Sequence, residues 1–417
     1  MLQDGKIVKA KGYGFANLET SAPATPDTVY KIGSVSKCFI AAGIMLLVED
    51  AKLGLDDPIG RYLDGVPDAW RAITIRHLLT HTSGIVEDPP GFTPFRAQPD
   101  ADVVRSLYTV PLLFAPGEKW SYSNAAYFAL GEIIHKVSGR PWAEFLDERI
   151  FRPLHMDATR TTTTTEIVPN RASGHIWSFG RFQKTEDWVA VRPSGAFLST
   201  VLDLARWDGA LQSRSILKPE TWQQILSPVG LNSGKTHPYG FGFFLDPFQD
   251  HRRIYHDGQL PGFLTVFESF PADHLTVITM SDTDDVALGK LTHSIAGFYV
   301  PQLAPPAYQT IADTEPEVTA TVKRLIAGLV KDDPDMTLFT AGLRSDLTAP
   351  VRAYLTRVLG KFGAVQGISL VERTPVGQGA TYRYRVLYRD GSLFLICSMD
   401  GTGKIQGIWQ DADTSVN

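Results

Sequence analysis

Lys31-Ile32-Gly33-Ser34-Val35-Ser36-Lys37 runs straight into Cys38-Phe39-Ile40-Ala41-Ala42-Gly43-Ile44-Met45-Leu46-Leu47-Val48, and this stretch sets both the architecture and the chemistry to look for. Its second half is apolar on every side of a helix, the mark of a helix buried all round. It is too short to span a bilayer, which needs roughly twenty residues. Ser34 and Lys37 stand three apart, so on a helix they share a face and the amine reaches the hydroxyl. A serine beside an amine base is an activated nucleophile that needs no histidine. At the N-terminus of a central helix it also gains from the positive end of the helix dipole, which favours an oxyanion.

Ser-x-x-Lys is a short pattern, and ordinary usage of the two residues supplies about one or two chance copies in a chain of this length. A second copy exists, Ser215-Ile216-Leu217-Lys218, followed at once by Pro219. Proline suits the first turn of a helix and disfavours helical geometry in the residue before it. Ser215 and Lys218 are therefore expected in a loop, not on one helical face.

The chain has 417 residues, more than one typical domain, with an apolar content of 43% and 45 acidic against 40 basic residues. This is a globular balance without a basic run, so a nucleic-acid footprint is not expected. Cys38 and Cys397 lie far apart, Cys38 inside the buried helix, and read as free core thiols. No CxxC, HExxH or phosphate-loop pattern occurs, and neither a metal nor a cofactor is expected. Asp4-Gly5 reads as a hairpin turn and 6–14 as the strand after it, which leaves three residues for a partner strand. The reading therefore expects a truncated N-terminus. A leader removed upstream would place a soluble protein in the periplasm or outside the cell; without one it would be cytoplasmic.

Beyond the first helix, 73–79 reads as a short helix leading into Thr80-His81-Thr82-Ser83-Gly84. The four prolines of 88–99 mark an ordered loop able to wall a pocket. Residues 124–137 form an amphipathic helix closed by Ser138-Gly139, and 161–165 is a threonine-rich exposed loop. Helices are expected over 203–212 and 219–226, strands over 253–256, 264–270 and 275–280, and a closing helix over 286–299. Pro301, Pro305 and Pro306 mark a linker, 301–314. The remainder, 315–417, reads as helices over 315–331 and 349–362 followed by strands over 368–372, 381–388, 392–398 and 405–409, a small α+β domain.

Two further motifs accompany the first. In Tyr122-Ser123-Asn124, extended backbone would turn Tyr122 and Asn124 to one side, although simple capping of the following helix explains the same residues. His256-Asp257-Gly258 ends a strand and precedes Gln259-Leu260-Pro261-Gly262; its glycine permits close approach of a ligand, and a strand edge offers free N–H groups. An Asp-Gly at a strand end is ordinarily a turn.

In that order the three motifs resemble the serine β-lactamase and penicillin-binding protein superfamily, whose signature is Ser-x-x-Lys, Ser-Asp-Asn and Lys-Thr-Gly. The nearest branch carries Tyr-x-Asn: class C β-lactamases, D-alanyl-D-alanine carboxypeptidases, D-aminopeptidases and β-lactamase-like esterases. His77-Leu78-Leu79-Thr80-His81-Thr82-Ser83-Gly84, Tyr239-Gly240-Phe241-Gly242 and Leu198-Ser199-Thr200 look like that branch too. The resemblance covers roughly 5–300. It implies an α/β fold of the α+β type over residues 1–300, an antiparallel sheet flanked by helices with a helical subdomain. The C-terminal domain looks more like an NTF2-like or lipocalin-like appendage.

The resemblance also implies roles. Ser34 would be the nucleophile and Lys37 its proton acceptor, with Tyr122 passing the proton to the leaving group. The backbone N–H groups of Ser34 and Gln259 would form the oxyanion hole, Asn124 would hold Lys37 or the substrate amide by hydrogen bond, and His256, Asp257 and Gly258 would meet the substrate. Either Lys37 or Tyr122 could take the first proton. Histidine and aspartate replace the lysine and hydroxyl of the usual third motif, and an aspartate repels a substrate carboxylate. This shifts the expected substrate, a small molecule or peptide, toward an ester, an uncharged amide or an amine paired with Asp257. β-Lactamase or D-alanyl-D-alanine carboxypeptidase activity is the alternative, and an inactive protein that binds peptidoglycan or a partner is the alternative of another class. His77 and His81 stand four apart, a spacing that could ligate a metal, but no third ligand accompanies them. No Gly-x-Ser-x-Gly occurs, which argues against an α/β-hydrolase.

Overall fold

The computed structural model describes residues 1–417 apart from 96–97, 164, 179–180, 189–192, 285, 305–307, 361 and 413–417. Two compact units emerge, one comprising Met1–Ile176 and Lys184–Leu303, the other Trp177–Gln183 and Ala304–Asn417.

The larger unit is built on an antiparallel sheet of five strands. In chain order these are β1 (Leu2–Gln3), β2 (Lys6–Ile7), β3 (Ile254–Leu260), β4 (Phe263–Phe270) and β5 (Leu275–Ser281), arranged β3-β4-β5-β1-β2. The strand expected over 6–14 is thus only two residues long. Leu2 pairs with both Thr276 and Ile7, so β1 sits between β5 and β2. β3 and β4 form a hairpin in register from Ile254 opposite Ser269 to Leu260 opposite Phe263. The turn is Pro261-Gly262, with Gly262 at φ +72°, so Asp257-Gly258 lies inside a strand and not at its end.

Helix α1 (Ser36–Glu49) is the centre of this unit, buried at every position from Ser36 to Leu47 as its apolar run requires. Phe39 meets Phe151, Phe197 and Trp207 edge-on at ring-centroid distances of 5.1, 5.7 and 4.9 Å. Each large apolar side chain so buried is worth about 1.5–3 kcal/mol over exposure. Helix α2 (Asn124–Ser138) packs beside α1, capped at its start by Ser123 and closed by Gly139 in the left-handed region. Helix α3 (Leu288–Tyr299) packs on β4 and β5. The 161–165 loop is as expected at its described positions; Thr164 lies outside them.

The smaller unit has helices α4 (Pro316–Leu329) and α5 (Ala349–Gly360), with a short helix Ala341–Asp346 between them that the sequence reading lacked. A four-stranded antiparallel meander follows: β6 (Val365–Val376), β7 (Gly379–Tyr388), β8 (Gly391–Met399) and β9 (Ile405–Ala412), in that order. Tyr382, Tyr384, Val386 and Tyr388 alternate inward against Val322, Leu325 and Leu329. Of the linker, Pro301–Leu303 is a single helical turn, while Pro305 and Pro306 lie outside the described residues. The segment Trp177–Gln183 belongs to this smaller unit, where the Arg357 guanidinium lies over the Trp177 ring at 4.3 Å.

Candidate active site

Ser34 occupies a helical turn, Gly33–Val35, immediately ahead of α1, and Lys37 lies in the first turn of α1 with no exposed surface. The Lys37 amine lies 3.1 Å from Ser34 Oγ, 2.8 Å from Asn124 Oδ1 and 2.9 Å from the Ser194 carbonyl oxygen. A neutral amine has two N–H donors and one lone pair. The two carbonyl oxygens can only accept, so they take both donors, and the lone pair is left for the Ser34 hydroxyl. Burial supplies the driving force: it holds the Lys37 amine down at about 7, against the opposing pull of Asp88. This arrangement can lift a proton from Ser34 at neutral pH.

The second motif has the extended backbone that its spacing implied. Ser123 at φ −142° and ψ 111° turns its own hydroxyl away, donating to Val86 O at 2.8 Å and accepting from Ala126 N–H at 3.0 Å. Capping therefore belongs to Ser123 alone. Tyr122 and Asn124 both line the cleft. Asn124 Nδ2 donates to Asp88 at 3.1 Å, which orients its oxygen toward Lys37. Tyr122 hydrogen-bonds Ser34, and burial raises its phenol well above the ordinary range, so it remains a proton-bearing group. The Lys37 amine also sits over the Tyr122 ring, 4.7 Å from its centroid.

The third motif lies along β3, the edge strand. A Cβ at Gly258 would collide with the Ile32 carbonyl oxygen, so glycine lets the strand close onto the Ser34 turn. Gln259 N lies 2.8 Å from where a Cβ on Gly33 would stand, and Gly33 itself is at φ +52°, a region that favours glycine. Those two glycines bring the Gln259 backbone against the serine turn. His256 is buried, and burial with the nearby Lys37 holds its imidazole down at about 3. Asp257 alternates to the other face of the strand from His256, and both residues line the cleft; desolvation and the neighbouring Glu268 hold the Asp257 carboxyl up at about 6.

A cleft of about 850 Å³ opens over Ser34, with Tyr122, Asn124, Asp257 and Gln259 in its wall. Glu87 and Asp284 add acid to it, Trp188, Phe244 and Ile176 add apolar surface, and among the described residues no lysine or arginine lines it. The sequence reading missed Glu87, Asp284 and Trp188. Trp188 is held by a second buried lysine, Lys31, which donates to the Trp188 carbonyl at 2.8 Å and pairs with Asp187. Ser194, whose carbonyl holds Lys37, carries no side-chain signal at all. Ser215 and Lys218 lie in the loop before the helix Pro219–Ile225, where the Lys218 N–H donates to Glu49 at 2.7 Å. His77 closes a capping box with Thr74, whereas His81 is buried beside Ser123 and Tyr239. Among the described residues no three metal-binding side chains are grouped, and no helix is long and apolar enough to cross a membrane.

The family model described as Beta-lactamase matches residues 1–296. Penicillin-binding protein 4* of Bacillus subtilis strain 168 is 30% identical over 305 residues, which cover 68% of this chain and 67% of that protein. The octameric penicillin-binding protein homologue from Pyrococcus abyssi has a similar fold, with a TM-score of 0.65 and 21% identity, covering 99% of this chain and 93% of that one. D-amino acid amidase from Ochrobactrum anthropi SV3 is similar over 70% of this chain and 87% of its own, with a TM-score of 0.60 and 22% identity. A Ser-x-x-Lys turn on a buried central helix, a Tyr-x-Asn facing it and an edge strand closed over both by glycine accompany a family match across most of the length; the chain belongs to the beta-lactamase family, the superfamily of serine β-lactamases and penicillin-binding proteins.

Proposed function

We propose that this protein is a serine hydrolase that forms an acyl-enzyme on Ser34 and acts on an ester or amide whose recognition group is neutral or cationic, as in an esterase or a D-amino acid peptidase. The observation that carries the reading is the Lys37 amine: buried, held at about 7, with two carbonyl acceptors taking its protons and Ser34 Oγ facing its lone pair. Lys37 accepts the Ser34 proton as Oγ attacks the substrate carbonyl. The oxyanion lies between the backbone N–H groups of Ser34 and Gln259. Tyr122 gives its proton to the departing alcohol or amine and regains one from Lys37; water then attacks the ester on Ser34, gives up a proton to the neutral Lys37, and releases the acid as Ser34 recovers its own proton. Asn124 holds Lys37, while Gly258 lets the strand close onto the Ser34 turn.

The third motif supports the substrate preference. His256 is neutral and buried, so it offers no charge to a carboxylate. The acidic side chains of Glu87, Asp257 and Asp284, in a cleft that among the described residues has no lysine or arginine in its lining, favour an ammonium instead. The name of the D-amino acid amidase neighbour is compatible with such a substrate. Asp257→Asn tests this. For a D-amino acid amide with a free α-ammonium, KM should rise about tenfold at pH 8, the order of one charge-assisted hydrogen bond. For a neutral p-nitrophenyl ester it should stay within about twofold, since no charged partner is lost. Equal effects on both substrates, or turnover restricted to penicillins and carboxylate-terminated peptides, would remove the assigned preference.

A further inference from the structure

Ser123, His81, Tyr239, His256 and Asp257 form one file of hydrogen bonds, buried as far as His256, that runs from the second motif to the third. The Ser123 N–H lies 3.1 Å from His81 Nδ1, and His81 Nε2 is 3.1 Å from the Tyr239 hydroxyl. That hydroxyl is 3.3 Å from His256 Nε2, and His256 Nδ1 is 2.7 Å from the Asp257 carbonyl oxygen. His81 and Tyr239 have no exposed surface, and His256 is 2% exposed.

The two ends dictate which nitrogen of each neutral imidazole carries the proton. A backbone N–H can only donate, so His81 Nδ1 is an acceptor and its ring proton sits on Nε2. A carbonyl oxygen can only accept, so His256 Nδ1 carries a proton. The Tyr239 hydroxyl then receives from His81 Nε2 and carries the one proton that His256 Nε2 can accept; the Tyr127 hydroxyl, which donates to the Leu79 carbonyl oxygen at 2.9 Å, also bonds to Tyr239. Each donor finds an acceptor when both imidazoles are neutral and in opposite tautomers. A second proton on His81 would face the Ser123 N–H, and one on His256 would strip the Tyr239 hydroxyl of its acceptor.

We propose that this file is a positioning device that ties the Tyr122–Asn124 segment to the Asp257–Gly258 peptide of β3, with His81 and Tyr239 as positioning residues and His256 fixed as the Nδ1–H tautomer. At one end, the His81 ring lies against Tyr122, with centroids 4.4 Å apart, and its amide-facing nitrogen holds the residue between Tyr122 and Asn124. His81 reaches this place from a left-handed backbone, φ +58°, a conformation costly for a residue with a side chain and retained where the surroundings dictate it. At the other end, the bond from His256 holds the peptide plane immediately before Gly258 and Gln259, the stretch that closes over Ser34. The file thus sets the distance between the proton-relaying tyrosine and the strand edge that would hold the oxyanion. A group placed about 1 Å from its productive position loses much of its catalytic value.

The effect on rate rests on Ser34 acting as the nucleophile; the tautomers do not, and the test separates the two. Nitrogen-15 NMR of the histidine-labelled full chain at pH 7, with His81→Asn and His256→Asn variants to assign the signals, should find His256 protonated on Nδ1 alone and His81 on Nε2 alone. Tyr239→Phe should move the His256 Nε2 signal. It should also lower kcat for a p-nitrophenyl ester roughly five- to tenfold with KM within about twofold, the scale of one lost hydrogen bond felt in the transition state. Either ring in the other tautomer, or cationic, in the unaltered protein would overturn the proposal, whatever the enzyme does. A Tyr239→Phe variant with unchanged His256 signals and unchanged kcat would overturn it equally.

Discussion

Lys37 changes character on folding. In the unfolded chain its amine holds a proton up to about pH 10.4; in the folded protein, burial holds it at about 7. Above 7 the native amine is free to accept the Ser34 proton, so kcat/KM should climb as pH rises and show an acid limb centred near 7. Stability carries the same signature with a definite sign. Between about 7 and 10 the unfolded chain binds the extra proton and the native state does not, so stability increases with pH across that window. The cost of burying the charge is fully present below 7. Denaturant titrations of the unaltered chain and of Lys37→Met at pH 7 and pH 9 should show the slope in the first and its loss in the second. An acid limb near 5, or equal slopes in both proteins, would contradict a neutral Lys37. The Ser34–Lys37 pair is local, three residues apart, and so was legible from spacing. The neutrality of the amine was not: its two acceptors come from Asn124 and from Ser194, 87 and 157 residues away, the latter through a backbone oxygen.

Strand β3 shows where local rules give way to pairing. Asp257-Gly258 has turn chemistry, yet both residues are paired, with Val266 and Thr265, and the chain turns only at Pro261-Gly262. Glycine is present because the strand must touch the Ser34 turn, a requirement invisible until Ile32 and Gly258 are brought together. The residues after Lys6-Ile7 erred in the other direction, reading as a strand where partners extend for only two residues. By contrast α1 and α2 were legible almost to the residue, one from a continuous apolar run and the other from its serine cap and terminal glycine. Gly258→Ala should be costly because the new methyl group meets the backbone oxygen of Ile32, not a movable side chain. We expect a loss of about 1–3 kcal/mol in a urea titration, the usual range for overpacking. Turnover should fall further than stability accounts for, since the serine turn is what moves. An alanine variant as stable and as active as the unaltered protein would show that the strand does not bear on Ser34.

The chain as a unit divides its labour. The first 303 residues, less the segment Trp177–Gln183, contain the central helix, the sheet and every residue of the candidate site. The remainder has its own core, in which the tyrosines of β7 meet the apolar faces of α4 and α5. Its helices and meander were legible because a helical pattern gives way to strand alternation, clearest along β7. The recruitment of Trp177–Gln183 into the second unit was not, since no local pattern reports a partner 180 residues away, as Arg357 is from Trp177. All of these elements serve one chemical proposition, an acyl-enzyme on Ser34. It is tested by intact-mass and peptide mass spectrometry of the full chain after exposure to a fluorophosphonate and, separately, to a fluorescent penicillin, with Ser34→Ala and Lys37→Ala alongside. The expected result is one fluorophosphonate adduct per chain, located at Ser34, absent in Ser34→Ala and strongly slowed in Lys37→Ala, with little or no penicillin adduct. A chain that remains unmodified by both probes, or one that is modified equally well after Ser34→Ala, would contradict it.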